Sequence, residues 1–254
     1  MITKDKTYRR LNNKSEDEKT IFEDLVKMYK NSPIPENELL ENLFMYMQKK
    51  DLAHLLFMNE IYRKILNVHG NIIEFGTRWG RNISLFINLR GIYEPFNHTR
   101  KIIGFDSFAG FPNISKKDGN HKSLKKGSYN VTNNYFKVLE NFLEIKEKEL
   151  PISHIKKYDL IKGDISKTSH DYFIKNKESL IALAVFDLDL YKPTKQALTA
   201  VFPRLSKGSI IVFDELNHNA YPGETVAFLE MFSKNKVKLE RLTYSASKSY
   251  FIVE

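Results

Sequence analysis

The sequence predicts an α/β protein with a mostly parallel sheet, an antiparallel C-terminal hairpin and an N-terminal helical cap over residues 1–69. Residues 181–186 and 208–213 are unbroken apolar runs, typical of strands buried on both faces of a parallel sheet. The segments between such runs carry apolar side chains at helical spacing, so strands and helices alternate. We expect residues 70–254 to form one domain, because no long Pro- or Gly-rich linker divides them.

Acidic residues follow both apolar runs where each strand is predicted to end. Asp187 and Asp189 follow the first run, and Asp214 and Glu215 follow the second. If the two strands are neighbours, these carboxylates meet at one edge of the sheet, where the chemistry of open α/β sheets collects. They would repel one another strongly unless a cation or a proton is shared among them. The alternative is that they cap the helices that follow.

Composition narrows the class of protein. A chain of 254 residues with 42% hydrophobic residues is long enough for a full α/β core and is not largely disordered. It contains no cysteine, so disulfides and thiolate metal sites are excluded. The first residues lack the apolar core of a signal peptide, and no apolar run approaches the roughly 20 residues that span a bilayer. We therefore expect a cytoplasmic protein without a membrane span.

The formal net charge of +9 permits an anionic partner. The lysines are scattered, and the sequence shows no basic helix or aromatic-interleaved basic stripe of the kind that binds nucleic acid. We therefore predict no nucleic-acid partner. A phosphorylated or nucleotide-linked small substrate fits the charge equally well.

The N-terminal region is predicted to be helical. Ser15 and Glu18 have the spacing of a capping box, which starts a helix that runs to about Tyr29. Apolar residues recur at helical spacing over 36–49 and again over about 52–68. We expect these helices to form a substrate-side cap and an outer layer for the sheet.

The first strand is predicted at Ile72 and Ile73, followed by a glycine turn and a helix that begins near Asn82. Glycines in such a turn let a ligand approach the backbone, and a helix N-terminus favours polar or negative groups. The motif is E-x-G-x-x-x-G, formed by Glu74, Gly76 and Gly80, and this spacing argues against a dinucleotide site. A purely structural turn is about as well supported as a ligand site.

Two further predicted strands also lead into acids. Residues 101–106 form the second strand and end in Asp106, where a Rossmann-like fold hydrogen-bonds a ribose diol. Residues 158–162 form the third strand, and Asp164 follows shortly after it, in a position to contact a nucleobase.

The polar segment 113–134 is long for a loop in a compact domain, and such loops are usually lids or disordered. We expect a mobile lid that orders when the site's ligands are bound. The remaining predicted elements are three helices and the two strands of the closing hairpin, at 135–148, 193–205, 224–232, 238–244 and 249–253.

Five parallel strands with a closing hairpin, the E-x-G-x-x-x-G motif and the strand-end acids together resemble a class I S-adenosylmethionine-dependent methyltransferase of Rossmann-like fold. More specifically, the chain resembles the macrocin O-methyltransferase family of sugar O-methyltransferases. The resemblance covers about residues 70–230. The matching segments, in chain order, are Ile73-Glu-Phe-Gly-Thr-Arg-Trp-Gly80, Phe105-Asp-Ser-Phe-Ala-Gly-Phe-Pro112, Gly163-Asp-Ile-Ser-Lys-Thr168, Phe186-Asp-Leu-Asp-Leu-Tyr-Lys-Pro-Thr194 and Asp214-Glu215.

The resemblance implies a cofactor site at the ends of the first three strands. Its residues would contact the methionine end, the ribose and the adenine of S-adenosylmethionine in turn. In that order they are Glu74, Gly76 and Gly80, then Asp106 and Ser107, then Asp164 and Ile165.

The resemblance also implies a Mg²⁺ site formed by Asp187, Asp214 and Glu215, with the metal binding two hydroxyls of a sugar. The family usually has Asp-Asp where this chain has Asp214-Glu215, and the longer glutamate leaves its direct coordination open. Asp187 or Asp189 is our candidate for the general base, with His218 as a further candidate.

Partners and alternatives follow from the same resemblance. The expected substrate is a small sugar-containing molecule, and the expected assembly is a homo-oligomer. The family also places acids from the N-terminal region and the lid over the substrate, for which the candidates are Glu36, Glu38 and Asp118. Two alternatives stay open: a catechol-type O-methyltransferase with an aromatic acceptor, and a nucleotide-binding protein of the same fold without catalysis.

Overall fold

The computed structural model describes residues 15–234 and 236–254. The described residues fall into two compact units, a smaller one up to Leu56 and a larger one from Phe57 to Glu254. The boundary between the units lies inside a helix, because residues from Phe57 onward are buried in the core of the larger unit. The predicted boundary between an N-terminal cap at 1–69 and a domain at 70–254 stays a prediction.

The smaller unit begins with helix α1, Glu16–Lys30. The predicted capping box is confirmed: the Glu18 N–H donates to Ser15 Oγ at 3.2 Å, and the Ser15 N–H donates to the Glu18 carboxylate at 2.9 Å. The first four N–H groups of a helix have no acceptor within the helix, and two of them gain a side-chain acceptor here.

The single helix predicted over 36–49 is wrong. The chain instead forms a short helix α2, Glu36–Leu39, and a separate 3₁₀ turn, Leu43–Tyr46. Between them, the Asn42 side chain donates to the Glu38 carbonyl oxygen at 2.9 Å. The Asn42 N–H also donates to this oxygen, at 3.2 Å. No residue of the two short elements is buried, so tertiary packing does not hold them in one longer helix.

Helix α3, Lys49–Lys64, starts in the smaller unit and continues into the larger one. It begins and ends a few residues earlier than predicted. From Phe57 its buried residues pack with the sheet that follows.

The larger unit is built on a six-stranded sheet with the order β3-β2-β1-β4-β5-β6. The first five strands are parallel, and β6 pairs antiparallel with β5, as the sequence predicts. The strands are β1 Asn71–Phe75, β2 Ile102–Asp106, β3 Tyr158–Lys162, β4 Ile181–Phe186, β5 Leu205–Phe213 and β6 Ser249–Ile252.

The antiparallel pairing at the C-terminus is confirmed, but the strand predicted at 238–244 is wrong. That segment contributes one isolated bridge, between Glu240 and Tyr250. Most of its side chains are half-buried or exposed, so little apolar burial favours a longer ladder.

Helices cover both faces of the sheet. The second half of α3 packs on one face with α4 and α5, and α6, α7 and α8 pack on the other. Neighbouring strand residues alternate between the two cores, as with Ile72 and Ile73. The helices are α4 Arg81–Tyr93, α5 Tyr135–Lys148, α6 Ile165–Lys175, α7 Tyr191–Val201 and α8 Gly223–Phe232. Among the described residues, no helix is both long enough and apolar enough to cross a bilayer.

The segment 113–134 is packed against the body of the larger unit. The Tyr191 N–H, at the start of α7, donates to the buried Asp118 carboxylate. Asp118, the candidate acid from the lid, is therefore hydrogen-bonded to α7. The Ser123 hydroxyl lies 2.6 Å from the Tyr221 hydroxyl. The predicted opening of this segment without ligands stays a prediction.

Candidate active site

The strand register brings the predicted acids to one edge of the sheet. Phe186 at the end of β4 is paired with Phe213 at the end of β5, and the Asp214 N–H donates to the Phe186 carbonyl oxygen at 3.0 Å. Asp187 and Asp214 therefore follow paired residues and leave the sheet side by side. We call this set, with Asp189, Glu215 and Glu224, the acid edge.

Asp189 lies in the interior of the acid edge. Burial raises the pKa of its carboxyl well above the usual range, and the charges of Glu215, Asp187, Glu224 and Asp214 raise it further. Its backbone is in the left-handed region, with φ of 59°. Asp and Asn adopt this conformation more readily than most residues, so the chain turns here at modest cost.

Glu224 is a member of the acid edge that sequence reasoning missed. It is buried at the start of α8, where one carboxylate oxygen accepts the Glu215 N–H at 3.1 Å and the other has no hydrogen-bond partner. Burial raises the pKa of Glu224 well above the usual range, against the hydrogen bond from Glu215. The sequence feature that could have indicated Glu224 is an acidic residue in the first turn of a mostly apolar helix.

A second missed residue is Lys248, which precedes β6. Its ammonium nitrogen lies 2.7 Å from Asp214 Oδ1. Both side chains are largely buried, so this ion pair is shielded from water and adds one positive charge to the acid edge.

The donor chemistry of the acid edge fits a hard divalent cation, because every ligand it offers is a carboxylate oxygen. One buried carboxylate oxygen of Glu224 has no hydrogen-bond partner, and burial and the neighbouring carboxylates raise the pKa of Asp189. In the part of the chain that the structure describes, however, no three acidic or histidine side chains are arranged to hold a metal ion together.

Glu74 is buried at the end of β1, in the neighbouring part of the same sheet edge. Burial raises the pKa of its carboxyl to about 8, a hydrogen bond from Asn82 opposes that shift, and the charges of Asp187 and Asp106 add to it. One of its carboxylate oxygens has no hydrogen-bond partner. A buried acid of this kind favours a cationic ligand group.

Gly76 follows β1 at the point where the strand order reverses between β1 and β4, where open α/β sheets bind ligands. Its φ is +98°, and a Cβ at this position would lie 1.9 Å from the Asp187 carbonyl oxygen. Gly80 has a different role in packing: a Cβ there would lie 2.3 Å from the Leu139 side chain of α5. Close packing therefore explains both glycines of the motif, whatever ligand they meet.

Asp106 lies at the end of β2. Its carboxylate accepts the N–H groups of Arg78 at 2.8 Å and Phe108 at 2.6 Å, and so joins the turns that follow β1 and β2. Burial raises its pKa, against these hydrogen bonds. Ser107 donates to the Gly110 carbonyl oxygen at 2.9 Å and closes the adjacent turn.

Asp164 and Ile165 lie at the start of α6. The Asp164 side chain caps the helix by accepting the Ser166 N–H at 2.9 Å, and Ile165 is buried in the core. Asp164 therefore acts as a helix cap, and its contact with adenine stays a prediction.

Comparison with known proteins identifies the family. The family model of macrocin O-methyltransferase matches residues 47–242. The chain belongs to the macrocin O-methyltransferase family. It is accordingly an S-adenosylmethionine-dependent O-methyltransferase, which removes the alternative without catalysis.

Solved structures agree with the family. A crystal structure of CalS11, a calicheamicin methyltransferase, is 38% identical with a TM-score of 0.92, over 95% of this chain and 94% of that one. An apo structure of CalS11, there called a TDP-rhamnose 3'-O-methyltransferase, is 35% identical with a TM-score of 0.83, over 95% and 96% of the two chains. The O-methyltransferase NovP, at 19% identity, 79% coverage of each chain and a TM-score of 0.57, shares the fold. A search of curated proteins found no match.

In this family member, His218 lies in the loop between β5 and α8. Its Nδ1 is buried without a hydrogen-bond partner, and its ring centroid is 5.3 Å from that of Tyr221. Its role as a base stays a prediction.

Two tyrosines that sequence reasoning missed lie beside the acid edge. The hydroxyls of Tyr129 and Tyr221 are 3.1 Å apart. Burial raises the pKa of Tyr129, and the charge of Asp189 raises it further. The Arg78 guanidinium lies 5.0 Å from the centroid of the Tyr129 ring. No sequence motif indicated these contacts, because the residues come from separate loops.

Proposed function

We propose that this chain transfers a methyl group from S-adenosylmethionine to a hydroxyl of a sugar, with Mg²⁺ bound at the acid edge. The observation that carries the proposal is the acid edge itself, which lies beside the glycine turn of β1 at the switch point of the sheet. The proposed acceptor is a nucleotide sugar or another sugar-containing molecule. It is supported by the CalS11 relative, called a TDP-rhamnose 3'-O-methyltransferase, and by the net charge of +9.

The proposed cofactor site follows the ends of β1, β2 and β3. The buried Glu74 carboxylate suits the ammonium group of S-adenosylmethionine, and Gly76 leaves room for the ligand to approach the backbone. The other proposed contacts are Gly80, Asp106, Ser107, Asp164 and Ile165.

The proposed metal ligands are Asp187, Asp214 and Glu215, with Glu224 as an additional oxygen donor. Mg²⁺, when bound, would lower the pKa of a coordinated sugar hydroxyl. The chain's own residues orient the acceptor for in-line displacement and exclude water from the acid edge. Asp189 takes the hydroxyl proton as the new O–C bond forms, and the S–C bond breaks with its electron pair left on sulfur.

A sugar acceptor is favoured over an aromatic one by the family match and by the CalS11 relative, called a TDP-rhamnose 3'-O-methyltransferase.

Cofactor and metal are expected to bind separately. S-adenosylhomocysteine should bind equally well with and without EDTA, because its proposed contacts are protein groups, and calorimetry measures this directly. Methyl transfer to TDP-sugars should require Mg²⁺ and should be absent with catechol. Failure of both S-adenosylmethionine and S-adenosylhomocysteine to bind would refute the proposal.

The pKa of Glu74, raised to about 8 by burial, makes cofactor binding pH-dependent. Below pH 8 the ligand-free carboxyl is protonated, and pairing with the ligand's ammonium must first release that proton. Affinity for S-adenosylhomocysteine should therefore rise by roughly tenfold per pH unit at most as the pH approaches 8. Calorimetry in buffers of different ionisation enthalpy should show proton release at pH 7.

Glu74→Gln should remove this proton release and flatten the pH dependence. Glu240→Gln, on the exposed edge beside β6, is the matched control and should behave as the unmodified protein. Equal proton release by both variants would show that another group titrates.

We also propose a homo-oligomer, formed through the smaller unit, and a cytoplasmic location. In the smaller unit, large apolar side chains are each at least 64% exposed, namely Ile21, Met28, Leu40, Phe44 and Met45. We infer that a second copy of the chain covers these side chains, because large exposed apolar surfaces mark interaction sites. Light scattering is expected to give a multiple of the 29.8 kDa chain mass.

A further inference from the structure

The Asp118 carboxylate joins the segment 113–134 to the start of α7. Tyr191 is the first residue of α7, and its N–H donates to Asp118 Oδ1. The other oxygen of Asp118 accepts the N–H of Ser115 at 2.6 Å and the hydroxyl of Ser115 at 2.7 Å. Asp118 is only 1% exposed, so both of its oxygens are engaged inside the protein. It is therefore placed to act on the protein itself and not on a bound acceptor.

Asp118 supplies a cap that the start of α7 lacks locally. The first N–H groups of a helix have no acceptor within the helix, and the side chain of the preceding residue often accepts one of them. The residue that precedes α7 is Leu190, which has no side-chain acceptor. Asp118 takes its place from 73 positions earlier in the chain, and its negative charge suits a helix N-terminus.

The capped N–H lies two residues after Asp189, which is part of a tight turn. The Leu190 N–H donates to the Leu188 carbonyl oxygen at 2.6 Å, and Asp189 between them has a φ of 59°. An L-residue in the left-handed region persists where the surrounding contacts hold it. Asp189 is held by the turn on one side and by the capped N–H on the other.

The start of α8 packs tightly against the same hydrogen bond. Gly223 is the first residue of α8. A Cβ at this position would lie 2.5 Å from Asp118 Oδ1, 2.5 Å from the Tyr191 nitrogen and 2.9 Å from the Asp189 carbonyl oxygen. No side chain fits there unless one of these atoms moves. Close packing therefore leaves the Asp118 carboxylate little room for another position.

We propose that Asp118 is a positioning residue for methyl transfer: it caps α7 from the segment 113–134 and so holds the turn that carries Asp189. The proposal rests on the role of Asp189 as the base in the proposed function. Docking of the segment and assembly of the catalytic turn are then one event, because a single carboxylate takes part in both. A displacement of about 1 Å can lower a rate by about 10², so loss of the cap should lower kcat.

Three substitutions at Asp118 in the full chain separate its position from its charge. Asp118→Ala removes the cap, and Asp118→Glu keeps the charge but has no room beside Gly223, so each should lower kcat by about 10². Asp118→Asn removes the charge and keeps an oxygen that can accept the Tyr191 N–H. Its kcat should stay within about fivefold of the unmodified protein.

Lys117→Met is the matched control in the same segment. The Lys117 ammonium lies 3.0 Å from the Tyr191 hydroxyl, and the lysine side chain is 47% exposed. Polar contacts at such exposure contribute little, so kcat should be unchanged.

Steady-state kinetics with TDP-sugars give kcat and KM for each variant. Expressing kcat per site that binds S-adenosylhomocysteine keeps unfolded protein from counting as a loss. KM should stay within about threefold throughout, because Asp118 does not contact the acceptor. Hydrogen exchange provides a second readout: the Tyr191 amide should exchange faster in Asp118→Ala and Asp118→Glu, but not in Asp118→Asn or Lys117→Met.

Unchanged kcat in Asp118→Ala and Asp118→Glu would overturn the proposal. A raised KM at unchanged kcat would also overturn it, since Asp118 would then contact the acceptor. An equal loss in Lys117→Met would show that docking of the segment matters and the cap does not. Absence of methyl transfer by the unmodified protein would refute the proposed function and the role of Asp118 with it, whereas failure of the Asp118 proposal alone leaves the unmodified protein active.

Discussion

Asp189→Asn is expected to lower the rate of methyl transfer by about 10²–10⁴, because the amide cannot take the hydroxyl proton. The substitution preserves shape, and asparagine tolerates the left-handed backbone at this position, where φ is 59°. Binding of S-adenosylhomocysteine and Mg²⁺ should therefore remain nearly intact. Steady-state kinetics should show a loss in kcat that added Mg²⁺ does not restore.

The neighbouring acids should respond differently, and they serve as matched controls for Asp189. Asp187→Asn and Asp214→Asn each remove one charged oxygen from the proposed metal site, so activity should be lost at low Mg²⁺ and partly recovered at high Mg²⁺. Glu215→Asp restores the usual family pair and should be tolerated. If Asp187→Asn and Asp214→Asn both turn over normally in EDTA, the metal assignment is wrong and the acids act as caps.

Gly76→Ala is expected to lower the free energy of unfolding by about 4 kcal/mol or more, a larger loss than most single substitutions cause. It should also abolish cofactor binding. The new Cβ would lie 1.9 Å from the Asp187 carbonyl oxygen. That oxygen belongs to the backbone, which is held in place because the Asp187 N–H donates to the Phe75 carbonyl oxygen at 2.9 Å. Relief of the clash would therefore separate β1 from β4 at the switch point of the sheet.

Gly127→Ala separates this clash from the cost of the backbone conformation. Gly127 has φ of +81°, and a Cβ there would meet nothing within 4 Å. Its substitution should cost only the roughly 1–2 kcal/mol of a left-handed L-residue. Urea unfolding measures both variants, and calorimetry with S-adenosylhomocysteine measures the effect on the site. Equal destabilisation by the two substitutions would show that the close approach at Gly76 carries no energy of its own.

Both experiments probe features that the sequence already contained. The apolar runs of β4 and β5 predicted buried parallel strands, and the acids directly after them predicted the acid edge. This inference succeeds because parallel strands end at the same side of a sheet, so position along each strand determines position in space. The capping box at Ser15 was predictable for a similar reason, since its hydrogen bonds join residues three apart.

Local pattern was less reliable where tertiary packing does not support it. Apolar spacing over 36–49 favoured one helix, but the chain forms a short helix and a separate 3₁₀ turn, neither of which has a buried residue. Gly80 shows a related difficulty, because its motif suggests a ligand while the structure shows contact with Leu139 on α5. A glycine in a sequence signals close approach, but only the fold shows what approaches.

By itself, the sequence determined the five parallel strands, the order of the acids along the chain and the family to which the chain belongs. The tertiary structure decided which charges surround those acids. Glu224 enters the acid edge through the docking of α8, and Lys248 enters it through the register of β6 against β5. Both placements depend on contacts between segments distant in sequence. No periodicity within either segment encodes them, because the energy that fixes them is the packing of whole elements against the sheet.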